Sequence, residues 1–193
     1  MAKPLYFYWT TFKFTLFYYV SLALGTLLEV IFIRSGNMIM APAFTGLVAG
    51  TAYMGLVEKT RRFGSITFVG IFIASFFFLS GHFVLAFVPN VLCGILADLF
   101  AKSGNYNDKT RNLLSYIVFS FGNLGPIILM WFAREAYIQQ LLERGKDLGY
   151  VNKVMLDFKL ANVSFLTVTI LIGATLGGFL GQKVVSKYLL KSK

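Results

Sequence analysis

Six apolar stretches, most of them long enough to cross a bilayer, alternate with short connections along this chain. A spanning helix needs roughly 20 mostly apolar residues, because each residue adds about 1.5 Å. The chain has 193 residues, is 57% hydrophobic and has a mean hydropathy of +0.71, which is too much apolar surface for a water-soluble core. The sequence therefore predicts an all-α integral membrane protein, a six-transmembrane-helix bundle. Its predicted spans are residues 14–33, 38–57, 64–80, 83–101, 113–133 and 161–181.

Positive charge is distributed unevenly among the connections. Twelve of the 18 Lys and Arg residues fall in four groups that an even number of spans places on one side of the membrane. Cytoplasmic loops collect such residues, so we expect a plasma-membrane protein with both termini in the cytoplasm. This topology accounts for the net charge of +10 without a nucleic-acid partner. The length fits one membrane domain, 1–193.

The sequence gives little support to enzymatic chemistry. A single histidine, His82, and a single cysteine, Cys93, are too few for a multi-histidine metal site or a disulfide framework. No phosphate-binding loop and no nucleophile-elbow motif is present, so we expect no enzyme activity and no cofactor or metal in this chain. Asp98 and Lys102, four residues apart on the fourth span, are most simply an intrahelical ion pair.

The connection between the fifth and sixth spans, residues 134–160, is the only long one. Its apolar residues recur at helical spacing on both sides of a glycine-containing break. This pattern predicts two short amphipathic helices that lie on the outer face of the bundle with their apolar sides down. Long structured loops often act as lids, although a helical hairpin that rests on the membrane surface has the same pattern.

Polar residues are predicted to meet on the same side of the membrane as this loop. The topology places His82 at the outer end of the third span, and Trp131, Arg134 and Glu135 at the outer end of the fifth. Asn123 lies in mid-membrane beside a proline break, where freed backbone groups must find partners or line a cavity. Together these residues predict an outward-facing pocket with aromatic walls, although Trp131 and Arg134 would also suit interfacial anchoring.

Two spans carry stripes of small residues, which allow helices to approach closely. Gly173, Gly177 and Gly181 form the stripe on the sixth span, and we expect it to pack inside the bundle. Ser21 and Gly25 form the stripe on the first span, which suits either the bundle or a partner protein.

Two motifs resemble those of one known family. The segments 94–104 (GILADLFAKSG) and 131–137 (WFAREAY), with Gly81-His82 and the basic tail, resemble the MptD (Trep_Strep) family of small bacterial membrane proteins. The resemblance runs in order along essentially the whole chain. Members of this family are regarded as candidate substrate-binding S components of energy-coupling factor (ECF) transporters.

The resemblance implies a fold like that of S components and a function in uptake. Such a subunit captures a vitamin or other micronutrient outside the cell and associates with a membrane T component and two ABC-type ATPases. The Ser21–Gly25 stripe is then the expected contact with the T component. Trp131 would stack on the ligand, and Arg134 and His82 would contact its polar or anionic groups. The expected binding residues are His82, Asn123, Trp131, Arg134, Glu135 and Tyr137.

Two other functions stay open from the sequence. One is a self-sufficient secondary carrier or channel, which would normally show paired acidic residues deep in the membrane or an inverted repeat, and neither is evident. The other is a membrane scaffold without transport. The ligand class also stays open, because a cobalamin- or haem-like tetrapyrrole, a thiamine-like vitamin and a metal chelate are all compatible with an aromatic pocket.

Overall fold

The computed structural model of the protein describes residues 4–34, 36–79 and 84–189. Within these residues it contains ten α-helices and no β-strand, which confirms the all-α class. A 3-10 turn, Phe121–Leu124, joins α6 to α7. The helices are α1 Pro4–Phe32, α2 Ala41–Val48, α3 Gly50–Thr60, α4 Ser65–Leu79, α5 Val84–Ser103, α6 Lys109–Ser120, α7 Gly125–Phe132, α8 Arg134–Glu143, α9 Leu148–Val154 and α10 Leu160–Tyr188.

Four helical segments of the described chain are long and apolar enough to cross a membrane. They correspond to the first, fourth, fifth and sixth predicted spans. The second predicted span, 38–57, is divided at Ala49 into α2 and α3, and the third is the 15-residue α4. The structure therefore supports a membrane protein, while the count of six spans stays a prediction. The four segments are Leu5–Phe32, Ala86–Ser103, Lys109–Phe132 and Leu160–Tyr188.

The helix α2 is held between α1 and α10 by residues that have little or no side chain. On one side, a Cβ atom added to Gly25 of α1 would lie 2.6 Å from the backbone nitrogen of Thr45. On the other side, a Cβ atom added to Gly177 of α10 would overlap the carbonyl group of Gly46. Only glycine allows the two backbones to touch in this way, so both contacts require it.

The small-residue stripes of both α1 and α10 are used inside the bundle. Gly173 and Gly181 continue the α10 contact along α2 and α3, which confirms that this stripe is intramolecular. On α1, Ser21 is buried and Gly25 contacts α2, so this face packs inside the bundle. A partner interface at these two residues stays a prediction, which this packing does not support.

A cluster of buried aromatic rings fills the centre of the bundle. The ring centres of Tyr18 and Phe119 are 5.1 Å apart, and those of Tyr53 and Tyr116 are 4.8 Å apart. The hydroxyl groups in this cluster are hydrogen-bonded, as burial requires. Tyr53 is bonded to Ser115 at 2.6 Å, and Tyr116 donates to a backbone carbonyl of α2 at 2.7 Å.

Asp98 is fully buried and caps α4 from the neighbouring helix α5. One of its carboxylate oxygens accepts hydrogen bonds from the backbone N–H groups of Gly64 and Thr67, at 2.8 and 3.0 Å, and from the Thr67 hydroxyl. The other accepts from the Tyr106 hydroxyl at 3.0 Å. A carboxylate at this position satisfies amides that have no partner within the helix. This cap replaces the predicted intrahelical pair, and the Lys102 ammonium lies over an aromatic ring.

The helices α8 and α9 form a hairpin, which confirms the two short helices expected in residues 134–160. Leu141, Val151 and Val154 bury their apolar faces against one another. The side chain of Val154 also lies 3.4 Å from the position of a Cβ atom added to Gly36. The hairpin therefore lies beside the α1–α2 connection, and we call this end of the bundle the hairpin end.

Several helices begin or end at the opposite end of the bundle, which we call the basic end. Arg61 after α3, Asn107 before α6 and Ser186 near the end of α10 surround one small cavity of about 180 Å³. The Arg62 guanidinium lies 4.8 Å from the ring centre of Phe7, so α1 begins here too. The described basic residues of this end are Lys59, Arg61, Arg62, Lys102, Lys109, Arg111, Lys183 and Lys187.

The contact between α10 and α2 gives a stability prediction. Gly177→Val should lower the free energy of unfolding by about 3 kcal/mol, because the new side chain forces two touching backbones apart. The measurement is unfolding of the purified protein by SDS in mixed micelles. Leu176→Val is the matched control, since Leu176 is exposed on the same helix. Equal stability of the two variants would show that this contact does not hold the bundle together.

Candidate functional site

A cavity of about 470 Å³ lies at the hairpin end of the bundle. Its walls come from α1, α2, α4 and the segment that runs from the 3-10 turn into α7. This volume is in the lower part of the range for small-molecule sites, and its mainly apolar lining is typical of them. The lining residues are Tyr19, Leu22, Ala23, Thr26, Gly36, Asn37, Met38, Ala41, Pro42, Thr45, Phe76, Phe77, Asn123, Pro126, Ile127, Met130 and Tyr137.

Two separate segments cover the cavity. The first is the connection between α1 and α2, where Gly36 and Met38 adopt φ angles of +80° and +56°. Left-handed backbone at these positions turns the chain sharply over the cavity. The second is α8, which contributes Tyr137 from the hairpin. Both covers are connections between apolar helices, and such loops are the parts of a bundle that move most readily.

The aromatic wall of the cavity joins α1 to α4. The ring centres of Tyr19 and Phe76 are 4.7 Å apart, in an edge-to-face arrangement, and Tyr19 also contacts Phe72 at 6.2 Å. Phe77 lines the cavity beside them. Such ring pairs hold one another in fixed orientations, so this wall is a preformed apolar surface.

Asn123 reaches the cavity because the fifth predicted span is interrupted. Pro126 is in the first turn of α7, where its missing N–H group has no partner to lose. Gly125 allows close packing on α5, since a Cβ atom there would lie 2.5 Å from the carbonyl oxygen of Ala86. The preceding residues form the 3-10 turn, and this turn directs Asn123 inward. The helix break predicted at Asn123 and Pro126 is confirmed, because the 3-10 turn separates α6 from α7.

The side-chain oxygen of Asn123 can accept a hydrogen bond from a ligand. Asn123 is only 7% exposed, and its Nδ2 donates a hydrogen bond to the Tyr18 hydroxyl at 3.3 Å. Its Oδ1 has no hydrogen-bond partner among the described residues. A buried carbonyl oxygen without a donor is unfavourable by about 1–3 kcal/mol, so this atom is the strongest candidate for a ligand contact.

Two of the six predicted site residues line the cavity, Asn123 and Tyr137. His82 lies outside the described residues. Trp131 packs its ring 5.2 Å from that of Phe158, away from the cavity. Arg134 and Glu135 are exposed. The predictions that Trp131 stacks on the ligand and that Arg134 contacts it are therefore not supported by this structure.

The conformation of Ala133 explains why Arg134 is turned away. Ile127 and Met130 line the cavity at helical spacing, and a continuous helix would bring Arg134 onto the same face. Ala133 instead has φ −133° and ψ 44°, so α7 ends and α8 starts in a new direction. Tyr137 of α8 therefore lines the cavity in place of Arg134. The Arg134 guanidinium instead forms an ion pair with the Asp157 carboxylate at 3.2 Å.

None of the residues in the α1 wall of the cavity was predicted from the sequence. Its lining residues Tyr19, Leu22, Ala23 and Thr26 recur at helical spacing. Tyr19 and Thr26 are also more polar than the residues around them. This stripe on one face of α1 was the sequence pattern from which the wall could have been predicted. Phe76 and Phe77 belong to a run of three phenylalanines, and no sequence pattern separates them from residues that face lipid.

Asp157 bridges two cations in the extended segment between α9 and α10. Its carboxylate lies 3.0 Å from the Lys159 ammonium and 3.2 Å from the Arg134 guanidinium. Hydrogen bonds from Lys159 and then from Arg134 lower the pKa of this exposed carboxyl below its usual value. The positive charge of Arg134 is therefore balanced by the Asp157 carboxylate, outside the cavity.

One family model matches nearly the whole chain. It is described as "Hypothetical bacterial integral membrane protein (Trep_Strep)" and covers residues 10–191, so the chain belongs to this family. Together with the apolar helices, the match assigns the protein to a membrane. No match was found among curated proteins or among solved structures.

The bridging role of Asp157 gives a titration prediction. Lys159→Ala should raise the pKa of the Asp157 carboxyl, because it removes the larger of the two stabilising contacts. With a lowered pKa, both ion pairs are present at neutral pH and are lost as the pH falls through that pKa. The measurement is NMR titration of the four aspartate carboxyls in 13C-labelled protein. Lys153→Ala on α9 is the control, and an equal rise in that variant would contradict the assignment.

Proposed function

We propose that this member of the Trep_Strep family is the substrate-binding S component of an ECF-type ABC importer in the plasma membrane. It captures a vitamin or other micronutrient outside the cell, and partner ATPases supply the energy for delivery inward. The observation that carries the proposal is the cavity of about 470 Å³, which has helical walls and two loop covers at the hairpin end. A concave, mainly apolar site of this kind suits capture of a small molecule.

The interior of the bundle favours a binding subunit over a channel. The buried rings of Tyr18, Tyr53, Tyr116 and Phe119 pack together beyond the cavity. Asn123 is hydrogen-bonded to Tyr18, so the cavity ends where this aromatic cluster begins. A ligand that enters from the hairpin end has no continuous path through these packed rings. Release on the other side would require movement of the whole subunit, as partner proteins could provide.

The distribution of charge supports an outward-facing cavity. The basic end carries eight described Lys and Arg residues, and positively charged connections stay in the cytoplasm during insertion. The hairpin end then faces outward, together with both covers of the cavity. The sequence has no phosphate-binding loop, so ATP-driven uptake requires a nucleotide-hydrolysing partner.

The first test of this function is purification of the tagged full chain from its native membranes in mild detergent. We expect three further polypeptides, a membrane T component and two ATPases, because the chain cannot hydrolyse ATP itself. Blocking ATP hydrolysis in that complex should abolish uptake in reconstituted vesicles. Purification of the chain without ATPases, or uptake that continues without ATP, would contradict the proposal.

Ala41→Phe tests whether uptake depends on the cavity. Ala41 lines the cavity at the start of α2, so a benzyl side chain there should obstruct the site and lower uptake at least about tenfold. Partner association should be unchanged. Ala161→Phe, at an exposed position on α10, is the matched control and should transport normally. Normal uptake by Ala41→Phe would mean that transport does not use this cavity.

A further inference from the structure

The cavity also indicates the chemistry of its ligand, an inference that rests on the proposed capture function. We infer that the ligand is uncharged and mostly apolar, and that it presents one hydrogen-bond donor to Oδ1 of Asn123. Three features of the described lining lead to this class of molecule: its lack of formal charge, its pattern of satisfied polar groups, and its aromatic wall.

The first feature is electrostatic. Of the described residues that line the cavity, none carries a formal charge. Of the two charged residues that precede Tyr137 on α8, Arg134 is paired with Asp157 on the surface and Glu135 is exposed. Glu29 is buried one turn beyond Thr26 on α1 and lies outside the lining. A charged ligand in this apolar site would lose its hydration without gaining a counterion, which is strongly unfavourable.

The second feature is the state of the polar groups in the lining. The Thr26 hydroxyl donates to the carbonyl oxygen of Leu22 at 3.0 Å, and Oδ1 of Asn37 accepts from the backbone of Ile39 at 3.2 Å. The Nδ2 group of Asn123 is used by Tyr18. The Oδ1 atom of Asn123, nine-tenths buried at the cavity wall, is an acceptor without a partner in the described chain. A ligand N–H or O–H group would satisfy it.

The third feature is the shape of the apolar surface. Tyr19 and Phe76 hold each other edge to face and present a fixed aromatic wall. Met38 and Met130 contribute flexible side chains, which adapt to the outline of a ligand. A compact ring system fits such a surface, whereas a cobalamin- or haem-sized tetrapyrrole exceeds what a cavity of about 470 Å³ can enclose. A cationic thiamine-like vitamin and an ionic metal chelate are disfavoured by the uncharged lining.

The test uses four probes with one ring system. 2-Naphthol is neutral and has an O–H donor, and 2-methoxynaphthalene has the same outline without the donor. 2-Naphthoate is an anion, and 2-naphthylmethylammonium is a cation. Binding of each probe to the full chain in phosphatidylcholine nanodiscs is measured by equilibrium dialysis at pH 7. Empty nanodiscs of the same lipid correct for partition into the bilayer.

We expect 2-naphthol to bind at least about tenfold more tightly than either charged probe, because no lining residue that the structure describes offers a counterion. It should bind about fivefold more tightly than 2-methoxynaphthalene, since only the naphthol donates to Asn123. Asn123→Leu should remove this second difference and retain binding of 2-methoxynaphthalene. The relative affinities of the four probes are measured on the wild-type protein. They therefore test the inferred ligand class even if Asn123→Leu does not fold.

Three results would overturn the inference. They are a charged probe that binds as tightly as 2-naphthol, equal binding of 2-naphthol and 2-methoxynaphthalene to the wild type, and no retention of 2-naphthol above empty nanodiscs. Each of these results contradicts only the inferred ligand class. The proposed function remains supported if the chain still purifies with a T component and two ATPases. Failure of the proposed function shows instead as absence of those partners, whatever the ranking of the probes.

Discussion

The direct backbone contact between α10 and the α2–α3 pair holds the rest of the structure in place. Gly177 touches the carbonyl group of Gly46, and Gly25 of α1 touches Thr45 from the other side. In a membrane, helices gain little from the hydrophobic effect when they associate, so close packing of small residues is the main attraction available. This contact fixes α2 against both neighbours, and Thr45 and Pro42 of α2 then form one wall of the cavity.

Two buried polar side chains, one towards each end of the bundle, differ in how completely they are hydrogen-bonded. At the basic end, both carboxylate oxygens of Asp98 have donors, which ties α4 and α5 together rigidly. At the hairpin end, the break before α7 leaves Oδ1 of Asn123 without a donor in the described chain. Buried polar atoms without partners are rare and cost stability. Such an atom in the wall of a cavity with loop covers is what a binding site requires, because the ligand completes the hydrogen bond.

Elements that depend on local sequence could be predicted, and contacts that depend on tertiary geometry could not. Apolar length predicted the long helices, and apolar residues at helical spacing on both sides of a glycine-containing break predicted the α8–α9 hairpin. The glycine stripe of α10 was correctly assigned to the bundle, because its spacing is a property of one helix. The exposed position of Arg134 could not be predicted, because it depends on the conformation of a single residue, Ala133, which turns α8 away from the face of α7. The Asp98 cap was missed because its donors, Gly64 and Thr67, lie on another helix more than 30 residues away.

Photocrosslinking in living cells tests most directly whether the cavity holds a small molecule. A benzoylphenylalanine at Phe76, in the aromatic wall, would react with whatever occupies the cavity when cells are irradiated, and the intact mass of the purified protein would report the adduct. The account predicts one discrete, reproducible mass increment at Phe76, and no such increment when the same group replaces the exposed Phe179 on α10. No increment at Phe76, or the same lipid-sized increment at both positions, would contradict a ligand-binding cavity.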